Sequence, residues 1–427
     1  MKKFPKANLH ALTIGVAAIV FFALGWLNGS RTRNDFIPVY DGARCLLHGC
    51  NPYGAGVLLY PPSTILALSP MALFHYSAAW FIWFFLNGAL FVAAVVVVLS
   101  LCPRRHKWLA TALGAVILAG SSLLLKEAQP ATFAISLVVI GAYFFLRGRA
   151  LLLGAVLLML SLAVKPQIGG LVVLYLFFRG VHRRYAAVAM VGAVTFLLCG
   201  GLILRMQPQS ANWVSDLGSN LSRAVAPGAT DDPRPANELA IAAVNLQTIT
   251  SVFFKDEKAY NDAAYAVFAV LFIAWSVAVL RMNPNMDNHL LSLGALSVLT
   301  LMPVYHRSYD SRLLILAIPA ALIVFEKRRI LGAFLCVLLA LSSVSIQHFV
   351  QVHLQRNGLF QTVQRSKPLL ILLVRESDII LLVLAVLFTA ALVGFRTPLD
   401  SGQGQIAWKS AKLREIPIEA VGDRISH

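Results

Sequence analysis

Long apolar stretches alternate with short polar turns along almost the whole chain. Runs such as AAVVVVLSLC and LLVLAVLFTAALVGF recur, and the alternation of apolar and polar residues that is typical of strands is absent. A backbone inside lipid must satisfy its own hydrogen bonds, so these runs predict membrane-spanning helices. The pattern predicts an all-α polytopic membrane protein with about twelve spans. They are residues 11–29, 76–101, 108–125, 130–147, 149–164, 167–179, 186–204, 263–281, 289–304, 313–325, 330–349 and 376–395.

The polar turns between these spans differ in charge. If the N-terminus is cytoplasmic, every second turn is cytoplasmic too, and each of these turns carries arginine or lysine. Positive charge on cytoplasmic loops is the usual signature of topology, so the charges support this orientation along one transmembrane domain over residues 1–395. The basic turns are residues 102–107, 147–149, 179–184, 281–285 and 326–329, followed by a polar tail over 396–427 that we expect to be flexible.

The other connections then face the extracytoplasmic side. The two long ones cover residues 30–75 and 205–262. In the first, STILALSPMALF (63–74) is too short to cross a bilayer, which predicts a re-entrant or interfacial helix. In the second, PGATDDPRPANE (227–238) has no apolar rhythm, so we expect a mobile segment. The short outward connections are residues 126–130, 165–167 and 305–312, and a longer one covers 350–375.

Composition agrees with a membrane protein. Hydrophobic residues make up 58% and charged residues 13%, with a mean hydropathy of +0.74, whereas soluble domains are about a quarter charged. The formal charge of +17 could indicate nucleic-acid binding. The basic turns explain it better, so we expect membrane lipids and no nucleic acid as partners. The first segment could be a cleaved signal peptide, but its length and the spans that follow favour an uncleaved helix in a plasma (inner) membrane protein.

Ionisable residues cluster at the outward ends of the spans. A charge beside hydrocarbon is costly and usually has a partner or a polar cavity, although any single long side chain can instead reach the lipid headgroups. The gathering of several such residues indicates a site. The group comprises Asp35, Asp41, Lys126, Glu127, Lys165, His306, Arg307, Asp310 and Arg312.

The first outward loop carries a family resemblance. DFIPVYDGARCLLHGCNPY, followed by YPPSTILALSPMALF, resembles the same loop in bacterial mannosyltransferases that use polyprenyl-phosphate-mannose and belong to the GT-C superfamily of glycosyltransferases. The family includes α-1,2-mannosyltransferases of lipoglycan assembly. The matching residues are Asp35-Phe36, Tyr40, Gly42-Ala43, Gly49, Asn51-Pro52-Tyr53 and Tyr60-Pro61-Pro62.

Three later stretches resemble the family more weakly. Residues 127–185 keep Gln129, Lys165-Pro166 and the Arg183-Arg184 turn, but have Ala128 where the family usually has glycine. NLQTITSVF (245–253) and LMPVYHRSYDSRLLILAIP (301–319) are similar to further family blocks. The resemblance extends over roughly residues 30–325. It implies a GT-C type fold with outward-facing catalytic loops, and a hexosyltransferase, most simply for mannose, that takes its sugar from a polyprenyl phosphate.

The implied reaction defines roles for the outward residues. An acceptor hydroxyl on a lipid or glycan attacks the anomeric carbon opposite the phosphate, with inversion, so a carboxylate must accept its proton and donors must hold the phosphate. Asp35, at the family's acidic position, is the predicted catalytic base, although Asp35 or Asp41 could instead cap the following helix. The predicted substrate-binding residues are Lys165, Arg312, His306, Arg307, Gln129, Asp41 and Tyr40. No nucleotide takes part, so neither a glycine-rich phosphate loop nor an Asp-x-Asp metal pair is required, and we expect no cofactor and no metal.

The sequence alone leaves open two alternative functions and whether two cysteines form a disulfide. A transporter of lipid-linked sugars should show paired repeats and polar residues near the midplane, whereas the polar residues here gather at one face, which favours an enzyme. A non-catalytic scaffold predicts no effect of changing Asp35. Cys45 and Cys50 either form a disulfide that stiffens the outward loop or stay free thiols.

Overall fold

The protein is all-α over the residues that its structure describes. This structure, a computed structural model, describes residues 6–29, 34–237, 243–343, 350, 353–354 and 356–394. The predicted tail over 396–427 lies outside the described residues, as does the end of the predicted span 330–349. The α-helices are α1 (Lys6–Asn28), α2 (Phe36–His48), α3 (Pro62–Leu68), α4 (Tyr76–Leu101), α5 (Lys107–Ala119), α6 (Ser122–Lys126), α7 (Pro130–Arg147), α8 (Leu151–Val164), α9 (Pro166–Arg179), α10 (Arg183–Met206), α11 (Trp213–Ala224), α12 (Leu246–Phe253), α13 (Glu257–Arg281), α14 (Met286–Thr300), α15 (Ala317–Lys327), α16 (Arg329–Ser343), α17 (Phe360–Arg365), α18 (Lys367–Val374) and α19 (Glu376–Gly394).

Where the structure describes them, the twelve predicted spans fall mostly on helical residues, which confirms the polytopic helical prediction. Seven stretches of the described residues are long and apolar enough to cross a membrane by themselves. The other five predicted spans fall on α8, α9, α14, α15 and α16, whose described lengths are 11–15 residues. The seven are Leu9–Asn28, Tyr76–Leu101, Arg104–Lys126, Pro130–Arg147, Arg183–Met206, Glu257–Arg281 and Glu376–Gly394.

Two short helical pairs end beside Lys165 and Asp310, and we call this end of the bundle the recess. Helices α8 and α9 have 14 residues each and meet at Lys165, so each is about 21 Å long. Helix α14 has 15 residues, and the chain then runs irregularly into the 3₁₀ helix Asp310–Leu316. A hydrocarbon core is about 30 Å thick. If the basic ends of these helices lie at one membrane surface, their opposite ends stop several ångströms short of the other.

The segment 63–74 is helical over most of its length, as predicted, and its first half packs inside the bundle. Helix α3 continues into the 3₁₀ helix Ser69–Leu73 and contacts α8 and α10. The Thr64 hydroxyl donates to the carbonyl of Val164 at 2.8 Å. A Cβ at Gly200 would come within 2.7 Å of the Pro62 carbonyl oxygen, so glycine there permits this close approach. Helix α3 thus closes the recess beside Lys165.

The segment around residues 227–237 is folded, so the prediction of a mobile segment is wrong for its described part. The Asp232 carboxylate accepts from the backbone nitrogen atoms of Gly228 at 2.7 Å and Arg234 at 3.1 Å, and from Arg234 Nε at 2.7 Å. The Asn237 amide donates to the Ala229 carbonyl at 2.8 Å. Polar side chains hold this segment, which is why the missing apolar rhythm was misleading.

Cys45 and Cys50 form a disulfide at the end of α2. It links the last turn of the helix to the residue after Gly49, which ends the helix with φ of 79°, a backbone conformation that favours glycine. The open question about these two cysteines is therefore resolved as a disulfide.

Candidate functional site

The 305–312 turn holds a buried group of polar side chains at the recess. Lys165 Nζ donates to both carboxylate oxygens of Asp310 at 2.7 Å. His306 Nδ1 lies 2.9 Å from Asp310 Oδ2, and the Arg307 backbone nitrogen lies 3.3 Å from the same oxygen. Burial opposes ionisation of Asp310, but Lys165 and His306 hold its pKa at about 2. Because Asp310 is charged, His306 Nδ1 must carry the hydrogen in their bond.

Asp35 is clamped at the rim of this recess. Its backbone nitrogen donates to the Glu127 carbonyl at 3.0 Å. The Phe36 ring stacks on Trp83 at 5.2 Å, and Trp83 Nε1 donates to the Ala128 carbonyl at 2.9 Å. Ala128 has φ of 48°, a backbone conformation that favours glycine. These contacts fix where the Asp35 carboxylate lies.

The Asp35 side chain faces the 305–312 turn. Tyr309 Oη donates to Asp35 Oδ2 at 3.3 Å, and Lys165 Nζ lies 5.6 Å from the centre of the Tyr309 ring. The side chain makes no cap bond to α2, because Asn34 Oδ1 accepts from the Phe36 nitrogen instead. The capping alternative for Asp35 is therefore wrong. Burial raises the pKa of Asp35, and the charge of Arg307 partly offsets that rise.

Arg307 is the half-buried cation of the site. Its Nε donates to Tyr305 Oη at 2.8 Å, and its Nη2 lies 3.8 Å from Asp231 Oδ1. It also interacts electrostatically with Asp35. Arg307 therefore lies between two carboxylates, and neither forms as tight an ion pair with it as Asp310 forms with Lys165.

The other predicted substrate-binding residues lie elsewhere. Arg312 is buried, and its guanidinium donates to the carbonyls of Gly120 and Ser342 at 3.0 Å each, at the ends of α5 and α16. A cation that binds the carbonyl groups at two helix ends stabilises those ends, which is a structural role for Arg312. Its predicted role toward phosphate stays a prediction that the contacts do not favour.

Gln129, Tyr40 and Asp41 each have a different setting. Gln129 is fully buried, and within the described part of the chain its side-chain amide has no hydrogen-bond partner. Tyr40 Oη donates to the Phe74 carbonyl at 2.8 Å, which fastens α2 to the start of α4. Asp41 is exposed, with Arg44 nearby. Among the described residues, no hydrogen bond joins any of the three to the group around Asp310, and their predicted roles stay predictions.

Three residues of the site were not predicted as site residues. Asp231 comes from the segment expected to be mobile, so no pattern pointed to it. Tyr305 and Tyr309 belong to a turn that the sequence did single out, and their spacing around Arg307 could have suggested them. Tyr60 and Glu127 also interact electrostatically with Asp35.

The arrangement suits transfer of a group between oxygen atoms. A half-buried carboxylate can accept a proton, and a guanidinium nearby can stabilise negative charge that develops in the same step. Within the described residues, no three His, Cys, Asp or Glu side chains form a metal-ligating group. The predictions that no metal and no cofactor take part stay predictions.

The comparisons with known proteins give a family. The model of glycosyltransferase family 87 matches residues 58–304, more than half of the 427 residues. No curated protein and no solved structure matches the chain. The matched range includes Lys165 and Asp231, begins after Asp35 and ends just before His306. The chain belongs to glycosyltransferase family 87 and is a multi-pass membrane glycosyltransferase.

Proposed function

We propose that the protein transfers a hexose, with mannose as the first candidate, from a polyprenyl-phosphate sugar to a hydroxyl of a lipid or glycan acceptor. The reaction inverts the anomeric carbon. The observation that carries the proposal is that Asp35, a half-buried carboxylate, accepts a hydrogen bond from Tyr309 in the turn that also carries Arg307.

Asp35 has the properties of a base for the acceptor hydroxyl. An ordinary aspartate is a weak base at neutral pH, and burial strengthens it by raising its pKa above 3.8. The hydrogen bond from Tyr309 holds the carboxylate in place, and the bond from the Asp35 backbone nitrogen to the Glu127 carbonyl holds its backbone. A fixed carboxylate near the reacting oxygen is what general base catalysis requires.

Arg307 is the best cation for the departing phosphate. Lys165 is already paired with Asp310 at 2.7 Å through two hydrogen bonds, and Arg312 donates to backbone carbonyls. During transfer Asp35 becomes neutral while charge grows on the phosphate. The positive charge of Arg307, which first stabilises the Asp35 carboxylate, then stabilises the negative charge on the phosphate. The net charge around Arg307 therefore changes little during the step.

The place of the site supports a lipid-linked donor. Lys165 lies between two 14-residue helices, and Asp310 follows the 15-residue α14 along the chain. All three helices are shorter than a hydrocarbon core is thick. A donor anchored by a polyprenyl chain presents its phosphate at the edge of the hydrocarbon, within reach of such a recess. The basic turns at the opposite ends and the Cys45–Cys50 disulfide both support an extracytoplasmic site in the plasma membrane, with a cytoplasmic N-terminus.

Transfer by purified protein tests the proposal. Synthetic polyprenyl-phosphate-mannose, polyprenyl-phosphate-glucose and nucleotide sugars are offered as radiolabelled donors with a membrane lipid extract as acceptor. We expect transfer from at least one polyprenyl-phosphate hexose and none from a nucleotide sugar. Transfer from nucleotide sugars alone would contradict the donor class, and transfer from glucose rather than mannose would correct only the sugar.

The pH dependence follows from the setting of Asp35. A base must be charged, so kcat/KM should fall as pH drops through the pKa of Asp35, which lies above 3.8. Tyr309→Phe removes a hydrogen bond that favours the charged form, so this acid limb should move to higher pH. The measurement is the pH profile of kcat/KM. Tyr265→Phe, on the exposed surface of α13, is the control and should leave the limb in place; a shift to lower pH in Tyr309→Phe would be the wrong sign.

A further inference from the structure

Asp231 is a second half-buried carboxylate in the recess, and the proposed chemistry gives it no role. Its Oδ1 lies 3.8 Å from Arg307 Nη2, compared with 2.7 Å in the Lys165–Asp310 pair. Tyr305 also interacts electrostatically with it. A carboxylate offers about four acceptor positions. Asp231 therefore keeps acceptor capacity beside the cation assigned to phosphate.

The segment that carries Asp231 is anchored from behind. The Pro233 carbonyl accepts from Ser251 Oγ at 2.9 Å and from Arg375 Nη2 at 3.2 Å. The Gln364 amide donates to the Pro235 carbonyl at 2.9 Å. Arg375 is only 1% exposed and precedes α19, one of the long spans. A surface segment anchored to the bundle in this way holds Asp231 in a fixed position.

The backbone next to Asp231 reinforces this position. Its own nitrogen donates to the Ala224 carbonyl at 2.9 Å, at the end of α11. Asp232 beside it is occupied by three internal hydrogen bonds. The two adjacent aspartates therefore differ in setting. Asp232 stabilises the fold of the segment through its hydrogen bonds, and Asp231 faces Arg307.

We propose that Asp231 accepts hydrogen bonds from ring hydroxyls of the transferred hexose and so helps to select the sugar. This rests on the proposed function. When the phosphate lies against Arg307, the hydroxyls nearest the anomeric carbon come within reach of a carboxylate 3.8 Å from that guanidinium. Bonds to such hydroxyls strengthen as the transition state forms. A site that buries an acceptor also rejects sugars that leave the acceptor without a partner.

Deoxy donors separate this role from a structural one. If Asp231 only held Arg307 in place, its removal would reduce transfer equally for every donor. If it binds a hydroxyl, the loss should be large for the full sugar and small for the analogue that lacks that hydroxyl.

The experiment compares Asp231→Ala, Asp231→Asn and the wild type with polyprenyl-phosphate-mannose and its 2-, 3-, 4- and 6-deoxy analogues. We expect Asp231→Ala to lower kcat/KM about 10- to 100-fold with the full donor, with a smaller loss for Asp231→Asn. With one deoxy donor the loss should fall below about threefold, because the hydrogen bond is already missing. Asp262→Asn makes the same change at an exposed ion pair and should have no effect.

Equal losses with all donors, or no loss with the full donor, would overturn the assignment of Asp231 and leave the proposed function intact. If the wild type transfers no hexose from any polyprenyl phosphate, the proposed function fails and the Asp231 assignment fails with it. The monodispersity and thermal unfolding of each variant establish that the protein compared is folded.

Discussion

Replacing Asp35 by asparagine should nearly abolish hexose transfer, lowering kcat by about 10²- to 10⁴-fold. Asparagine has almost the same shape and keeps an oxygen that can accept from Tyr309, but it cannot take the proton of the acceptor hydroxyl. Donor binding should change little, because Arg307 and the buried group around Asp310 are left in place. The measurement is single-turnover transfer from a polyprenyl-phosphate hexose, together with donor binding.

Asp41→Asn is the matched comparison, because it makes the same change in the same loop. Asp41 is exposed, and the charge near it is Arg44 rather than Arg307. If Asp41→Asn stopped transfer and Asp35→Asn did not, the base would have been assigned to the wrong aspartate.

Lys165→Met should lower the free energy of unfolding by about 3–5 kcal/mol, since it removes the closest cation from the buried carboxylate of Asp310. Transfer should be lost as well, because Asp310 holds the turn that carries Arg307 and Tyr309. The contribution of Asp310 to stability is complete above its ordinary pKa of 3.8 and is lost as pH falls toward about 2. The measurement is thermal unfolding in detergent, at neutral pH and between pH 4 and 2.

Two further variants make this result specific. Lys165→Met combined with Asp310→Leu removes both charges, so it should be more stable than Lys165→Met alone. Lys258→Met breaks the exposed pair with Asp262 and should not change unfolding measurably. A single Lys165→Met variant as stable as the wild type would show that the buried pair is not needed for folding.

The sequence predicted the helices well because two independent signals agreed. Apolar length marked each span, and the basic turns between the spans agreed with their boundaries. The orientation that these charges predict stays a prediction. The family membership as a glycosyltransferase sets aside the transporter and the scaffold. The prediction of a mobile segment failed at 227–237, because hydrogen bonds from polar side chains hold this segment without any apolar pattern.

The site was predicted only in part, because its contacts are distant in sequence. Lys165 and Asp310 are 145 residues apart, and Tyr309 and Asp35 are 274 apart. The sequence alone predicts that both members of each pair face outward, but it does not show which side chains are in contact. For the same reason it did not separate Arg307, which faces the recess, from Arg312, which points back into the bundle.

The most direct measurement of the central claim uses azide as the acceptor. Azide needs no deprotonation, so it makes the base unnecessary while every other part of the site stays in use. With Asp35→Ala, azide should restore attack on the polyprenyl-phosphate hexose and give a glycosyl azide whose anomeric configuration is opposite to that of the donor. No gain with azide, or a product that retains the donor's configuration, would contradict the assignment of Asp35 as the base of an inverting transfer.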